Sequence, residues 1–148
     1  MKFSFSNLWN FWKQKEEVVI CITTNGTVKK NGEAVMGKGC ALEAKLKFSN
    51  FPIDLGYRIK KYGNNIHCFS TNFGTIVTFP TKHNYWEQAD IKLIERSCQQ
   101  LVKATNQNNW QKIILPQPGC GAGGLKWEEV KPILEKYFDD RFEVVTNV

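Results

Sequence analysis

The sequence predicts an α/β fold in which helices cover a mostly parallel sheet. Three observations carry that prediction. Short strand-like runs alternate with segments of helical period along the chain; Val18 to Thr23 (V-V-I-C-I-T) is a continuous strand-forming run, as a strand buried on both faces requires; and both glycine-rich stretches sit where a loop feeds a helix.

Taken in order, Lys2 to Phe5 reads as a brief strand, Leu8 to Lys15 as a short helix and Val18 to Thr23 as the buried strand. A polar loop with a glycine follows from Asn25 to Glu33. Gly39 to Phe48 carries good helix formers (A-L-E-A-K-L-K), and Asp54 to Lys61 suits a second helix. Ile66 to Ser70 and Thr75 to Phe79 read as two strands joined by the turn Asn72-Phe73-Gly74. The strongest helical period lies in Glu87 to Thr105, where Ile91, Ile94, Cys98, Leu101 and Thr105 recur on one face; Asn106 to Asn109 ends it. Lys112 to Leu115 is then a strand, and Trp127 to Phe138 a helix with Trp127, Val130, Leu134, Tyr137 and Phe138 on one side. Phe142 to Val145 is the closing strand. Proline is costly beyond the first helical turn, so Pro132 predicts that the regular part of its helix begins near Val130.

With 148 residues, 42% of them hydrophobic, the chain has apolar mass for one core, and residues 1–148 are expected to form one domain. A monomer of this size buries about 70% of the surface its unfolded chain exposes, so it needs no disulfide or metal staple. Cys21, Cys40, Cys68, Cys98 and Cys120 are scattered singly, with no C-x-x-C pair and only two histidines. That argues against a structural zinc site and a secreted disulfide framework, and it predicts a reducing, cytoplasmic setting. The net charge of +6 and a pI near 9.1 favour anionic partners, without choosing among nucleotides, nucleic acid, phosphorylated metabolites and a membrane surface. No apolar run approaches the roughly 20 residues of a membrane span, and Ser4, Ser6, Asn7 and Asn10 interrupt the aromatic start, so neither a span nor a signal peptide is predicted. Trp9, Phe11 and Trp12 are expected to pack on the core of a monomer.

Three segments can carry chemistry. Met36-Gly37-Lys38-Gly39-Cys40-Ala41 precedes one helix, and Gly119-Cys120-Gly121-Ala122-Gly123-Gly124 lies between a strand and another. Glycines let backbone approach a ligand and free N–H groups at a helix start attract anions, so the pair suits a diphosphate; simple turns are the alternative. The second stretch spells G-x-G-x-x-G, but only 24 residues follow it, too few for a dinucleotide fold, and neither stretch continues into the G-K-[ST] of a P-loop. The third segment, Phe79 to Trp86 (F-P-T-K-H-N-Y-W), leaves a strand at its carboxyl end, which brings Thr81 and Lys82 to the rim where such sheets bind ligands. A lysine facing two helix N-termini has its ammonium form disfavoured and can act as an amine nucleophile or base; a solvated lysine is the alternative. Cys120, with His83 as its base, would need an orienting residue that the sequence does not supply, and it reads better as a small lining residue. His67 lies inside a strand and reads as structural.

Together the anchors M-G-K-G-C-A, F-P-T-K-H and P-Q-P-G-C-G-A-G-G-L-K-W, continued by V-K-P-I-L, resemble the macrodomain family of ADP-ribose-binding modules. The resemblance runs through nearly the whole chain and is closest to the branch of DNA ADP-ribosyl glycohydrolase antitoxins and acidic-residue ADP-ribosyl glycohydrolases. It implies a three-layer α/β/α fold with a mixed, mostly parallel central sheet. It further implies that Asn7 and Leu8 meet the adenine, that Asn25 lies beside the distal ribose, and that Gly37 to Ala41 wrap that ribose and one phosphate. Gly119 to Leu125 would hold the diphosphate, Met36, Thr81 and Pro116 would also contact ADP-ribose, and Lys82 would act at the anomeric carbon, with Asn25 at the reacting ribose. No metal or cofactor is implied.

The chain departs from the family pattern at three points. Asn7 replaces a common adenine-contacting aspartate, Gly123 stands where some members carry a catalytic aspartate, and the loop Gly26 to Glu33 is long and bears Lys29 and Lys30. The resemblance implies an enzyme that hydrolyses ADP-ribosyl linkages on nucleic acid or protein. A non-catalytic ADP-ribose reader and an ADP-ribose 1″-phosphate phosphatase are the alternatives.

Overall fold

The computed structural model describes residues 1–12, 17–72 and 74–146. Six strands form one sheet in the order β1-β6-β5-β2-β4-β3, with β1 Lys2–Phe5, β2 Val19–Asn25, β3 His67–Thr71, β4 Gly74–Lys82, β5 Ile113–Pro116 and β6 Phe142–Thr146. Every pairing is parallel except the β3–β4 hairpin. Its turn residue Phe73 lies outside the described residues. Four helices, α1 Gly39–Lys47, α2 Phe51–Tyr62, α3 Ile91–Asn108 and α4 Trp127–Tyr137, cover the sheet.

Strand β2 shows why three layers form. Val19 and Cys21 point into a core with α3 and α4, through Ile94, Cys98, Leu101, Val130 and Leu134. Ile20 and Ile22 point into a second core with α1 and α2, through Ala41, Ala44, Leu55 and Ile59. Successive side chains of a strand face opposite ways, so a strand sandwiched between two helix layers must be apolar at every position. The Ile76/Val77 and Ile113/Ile114 pairs divide between the two cores in the same manner. Trp9, Phe11 and Trp12 pack against the α1/α2 core, as expected.

The helix boundaries differ from the sequence expectation at four places, and strands β2 and β4 run past their expected ends at Thr23 and Phe79, to Asn25 and Lys82. The expected helix from Leu8 to Lys15 is a short 3-10 turn at Leu8–Phe11, capped by Asn7, and residues 13–16 lie outside the described residues. Helix α2 starts at Phe51 because Pro52 sits in its first turn, where a missing N–H costs nothing. Helix α3 starts at Ile91, where Asp90 Oδ1 accepts from Lys92 N at 2.9 Å; Ala89 N and Asp90 N instead tie the approach to Gly123 O and Thr81 O. It runs on to Asn108 and stops at left-handed Asn109, φ 55°. Helix α4 is regular from Trp127, contrary to the expected start near Val130. Pro132 forfeits a bond to the carbonyl of Glu128, which lies exposed in the first turn, and its own ring faces solvent.

His67 is buried, with Nε2 3.0 Å from Gly63 O, which fits its structural reading. No helix of the described residues is long and apolar enough to cross a membrane.

Candidate functional site

Five parallel strands end at one rim, and a cleft of about 1010 Å³ opens there. This is where an open α/β sheet exposes strand ends and helix starts, and the size suits a nucleotide. The cleft is lined from the loop after β1 (Ser6, Asn7, Leu8), across the ends of β2 and β4, to the two glycine stretches. All of the residues expected from the sequence line it except Leu125. The Leu125 side chain packs on the α3/α4 core, and its N–H closes the loop onto Gly119 O at 2.9 Å.

The glycines divide by what a side chain would meet. At Gly123 a Cβ would lie 2.5 Å from Gly119 O and 2.8 Å from Ala89 Cβ, while Gly119 and Gly124 hold φ of +76°. These three serve the turn itself, so the aspartate found at this point in some macrodomains has no room. Gly37 and Gly121 have ordinary backbone angles, and a Cβ there would meet nothing within 4 Å. Packing does not require glycine at either position. Both line the cleft, and an added side chain would occupy ligand space, so close approach of a ligand is the remaining physical reason for glycine.

Lys82 reaches the cleft through an irregularity in the sheet. Thr24 pairs with Pro80, but Asn25 pairs with Lys82, so Thr81 is an extra residue on β4. A bulge of this kind re-aims the side chains beyond it, and it sets Lys82 directly opposite Asn25 at the cleft. Lys82 Nζ donates to Tyr85 O and Ala122 O, each at 3.3 Å. The amine therefore faces two carbonyls, instead of the helix N-termini expected from the sequence. Asn25 uses both ends of its amide to hold the following loop: Nδ2 donates to Val35 O at 3.0 Å, and Oδ1 accepts from Thr27 N at 2.9 Å. It shapes the loop edge of the cleft as well as lining it.

At the opposite end, Asn7 Oδ1 accepts from Trp9 N at 2.9 Å, which leaves Nδ2 as the group available to a ligand. Met36 and Ala41 are buried floor residues, and Lys38 is the exposed residue at the start of α1. Cys40 Sγ receives Thr23 N at 3.3 Å, and burial pushes its thiol up. Burial, with Glu128 and Glu129 nearby, pushes the Cys120 thiol up to about 11, so it is protonated at neutral pH and lacks the thiolate of a nucleophile. His83 is not its base: Nε2 lies 2.8 Å from Asp90 Oδ2, and that hydrogen bond holds the Asp90 carboxyl below its usual range. Among the described residues no cluster of three or more His, Cys, Asp or Glu side chains could hold a metal ion.

The sequence reading did not select several lining residues: Thr23, Thr24, Val35, Glu43, Gln117, Val145 and Thr146, and at the outer lip Tyr85, Trp86, Glu87 and Gln88. Most follow from strand ends meeting at one rim. Trp86 and Tyr85 are 66% and 53% exposed, with ring centroids 5.1 Å apart and planes nearly perpendicular.

Comparison with known proteins agrees with this architecture. The Macro domain family model matches residues 65–134. A DNA ADP-ribosyl transferase–DNA ADP-ribosyl glycohydrolase fusion protein of Thermosipho africanus is 27% identical over 133 residues, covering 75% of this chain and 34% of that protein. A DNA ADP-ribosyl glycohydrolase of Mycobacterium tuberculosis is 28% identical over 115 residues, covering 73% and 33% respectively. The chain thus spans about a third of the length of these relatives. Among solved structures, the macrodomain of Mycobacterium tuberculosis DarG superposes with a TM-score of 0.81 at 22% identity, covering 99% of this chain and 97% of that one. The macrodomain of Thermus aquaticus DarG gives 0.76 at 25% identity, with the same coverage. Thermosipho africanus DarTG in complex with ADP-ribose gives 0.78 at 21% identity, covering 97% and 41%. Sheet order, cleft and glycine loops, together with these matches, lead to one conclusion: the chain has the macrodomain fold and is similar to the Macro domain family over residues 65–134.

Proposed function

We propose that the chain binds ADP-ribose in this cleft and hydrolyses its linkage to a macromolecule, with nucleic acid as the substrate class. The observation that carries the reading is Lys82 set opposite Asn25 by the β4 bulge, with Nζ beside the second glycine loop. In this reading the adenine lies at Asn7 and Leu8, the diphosphate between the loops around Gly37 and Gly121, and the distal ribose between Asn25 and Lys82. The Lys82 amine attacks C1″. The bond from C1″ to the macromolecule breaks, the leaving group keeps the electron pair and takes a proton, and water then displaces the lysine. The relatives support the substrate class: they are DNA ADP-ribosyl glycohydrolases, and one structural neighbour is a complex with ADP-ribose. We further propose that residues 1–148 act as a single domain and a monomer in the cytoplasm, where five free thiols are at home.

One observation favours the reader alternative. Two carbonyl acceptors on Nζ are also what a purely structural lysine would have. The test is turnover by the protein and by Lys82→Ala on ADP-ribosylated DNA, ADP-ribosylated protein and ADP-ribose 1″-phosphate, with ADP-ribose affinity measured by calorimetry. Hydrolysis of the DNA that falls about 10²–10⁴-fold in the variant, with ADP-ribose still bound, supports the proposal. Binding without turnover of any substrate leaves a reader. Turnover confined to ADP-ribose 1″-phosphate and insensitive to the variant leaves a phosphatase.

A further inference from the structure

The reacting end of the cleft is edged by an exposed aromatic pair. Tyr85 and Trp86 are 53% and 66% exposed, their rings meet edge to face at 5.1 Å, and the backbone carbonyl of Tyr85 accepts from Lys82 Nζ. Large aromatic side chains left in water beside a binding cleft mark a contact surface. The pair belongs to neither core, so stability does not explain it.

The charge along the chain is equally uneven. Residues 29–61 hold eight basic and three acidic side chains, a net +5 of the whole chain's +6. The start of that stretch is fastened to the aromatic pair. Lys29 and Lys30 stand exposed at the tip of a tight hairpin closed by Lys29 N to Glu33 O at 2.8 Å and Gly32 N to Lys29 O at 2.9 Å. Thr27, at the base of the hairpin, bonds Tyr85 N at 3.1 Å and Asn84 at 3.3 Å. The nearest acid of the aromatic segment, Glu87, is engaged by Asn84 Nδ2 at 2.8 Å.

Resting on the function proposed above, we propose that Tyr85 and Trp86 form a stacking platform for an unpaired nucleobase next to the ADP-ribosylated one, with the Lys29–Lys30 hairpin holding the adjoining phosphates. An aromatic face accepts any base whose own face is free, which a base inside a duplex lacks, and basic side chains beside it track the backbone. A diphosphate ligand alone needs neither feature. A polypeptide substrate offers no row of phosphates to the hairpin.

The test is a binding comparison that does not require turnover, made with the Lys82→Ala background so that substrate survives. Four probes are titrated: free ADP-ribose, a single-stranded oligonucleotide carrying ADP-ribose on one base, the same oligonucleotide with abasic sites flanking that base, and an ADP-ribosylated peptide. Free ADP-ribose reports the proposed function, and the ratio of oligonucleotide to ADP-ribose affinity reports the platform. Trp86→Ala should lower that ratio about 5- to 150-fold, the equivalent of the 1–3 kcal/mol that one base–aromatic stack supplies. Trp86→Phe should restore most of it, and Trp86→Ala should cost nothing further on the abasic probe. Lys29→Ala with Lys30→Ala should flatten the dependence of oligonucleotide affinity on salt. Failure of the protein to bind ADP-ribose overturns the function and the platform together. ADP-ribose bound with no excess affinity for the ordinary oligonucleotide over the abasic one overturns the platform alone, as does an ADP-ribosylated peptide that loses as much affinity in Trp86→Ala as the oligonucleotide.

Discussion

Substituting Gly121 and Gly123, two residues apart in the same loop, separates ligand approach from turn geometry. A Cβ at Gly121 meets nothing within 4 Å and the backbone angle is ordinary, so Gly121→Val should leave folding stability within about 0.5 kcal/mol. Its branched side chain enters the cleft, and it would push a phosphate away from the loop N–H groups. Hydrogen bonds to a charged group are worth about 1.5–3 kcal/mol each, so loss of one weakens ADP-ribose binding about 10- to 150-fold. At Gly123 the same atom would lie 2.5 Å from Gly119 O and 2.8 Å from both Gly119 Cα and Ala89 Cβ, none of them at the end of a flexible side chain. Gly123→Ala should therefore cost about 1–3 kcal/mol through overpacking, which lowers Tm by roughly 2–12 °C in a domain of this size. Calorimetric titration with ADP-ribose and thermal unfolding of both variants provide the assay. Undiminished ADP-ribose affinity in Gly121→Val would refute the close-approach argument, and a Tm as low as that of Gly123→Ala would show that packing requires this glycine too.

Two further outcomes follow from titrating groups. Alkylation of Cys120, followed by peptide mass mapping, should rise with pH toward a midpoint near about 11, and Cys120→Ser should retain hydrolysis; a midpoint at or below the ordinary 9.0, or loss of turnover in the serine variant, would make the thiol a candidate nucleophile again. Burial holds the His67 imidazole below its ordinary value, so the unfolded chain takes up a proton that the folded one resists; stability contributed by neutral His67 should be complete above about pH 6.5 and decline below it. Urea unfolding at pH 8, 6.5 and 5 should show that decline in the wild type and a shallower one in His67→Gln, and parallel declines would refute the assignment.

Much of the site was legible because its parts are local. Glycine clusters ahead of helices and a polar segment leaving a strand are properties of neighbouring residues, and both glycine stretches and Lys82 line one cleft. Leu125 did not join them, since its apolar side chain gains more from the α3/α4 core than from a polar rim. Boundaries failed where local chemistry decided the start: Asp90 caps α3 at Ile91, four residues after the expected Glu87, and an exposed Pro132 lets α4 start early.

What the sequence determined by itself is the layering. The run V-I-C-I in β2 is apolar at every step, and a strand whose side chains alternate can bury them all only between two helix layers. What only the tertiary structure decided is the chemistry at the rim. The extra residue Thr81, which sets Lys82 opposite Asn25, exists only in the pairing of β4 with β2. The division of the glycines into turn formers and cleft liners likewise depends on what lies across space, such as Ala89 against Gly123 and open cleft against Gly121. Periodicity records which way a residue faces; register and clearance depend on contacts between segments far apart in the chain.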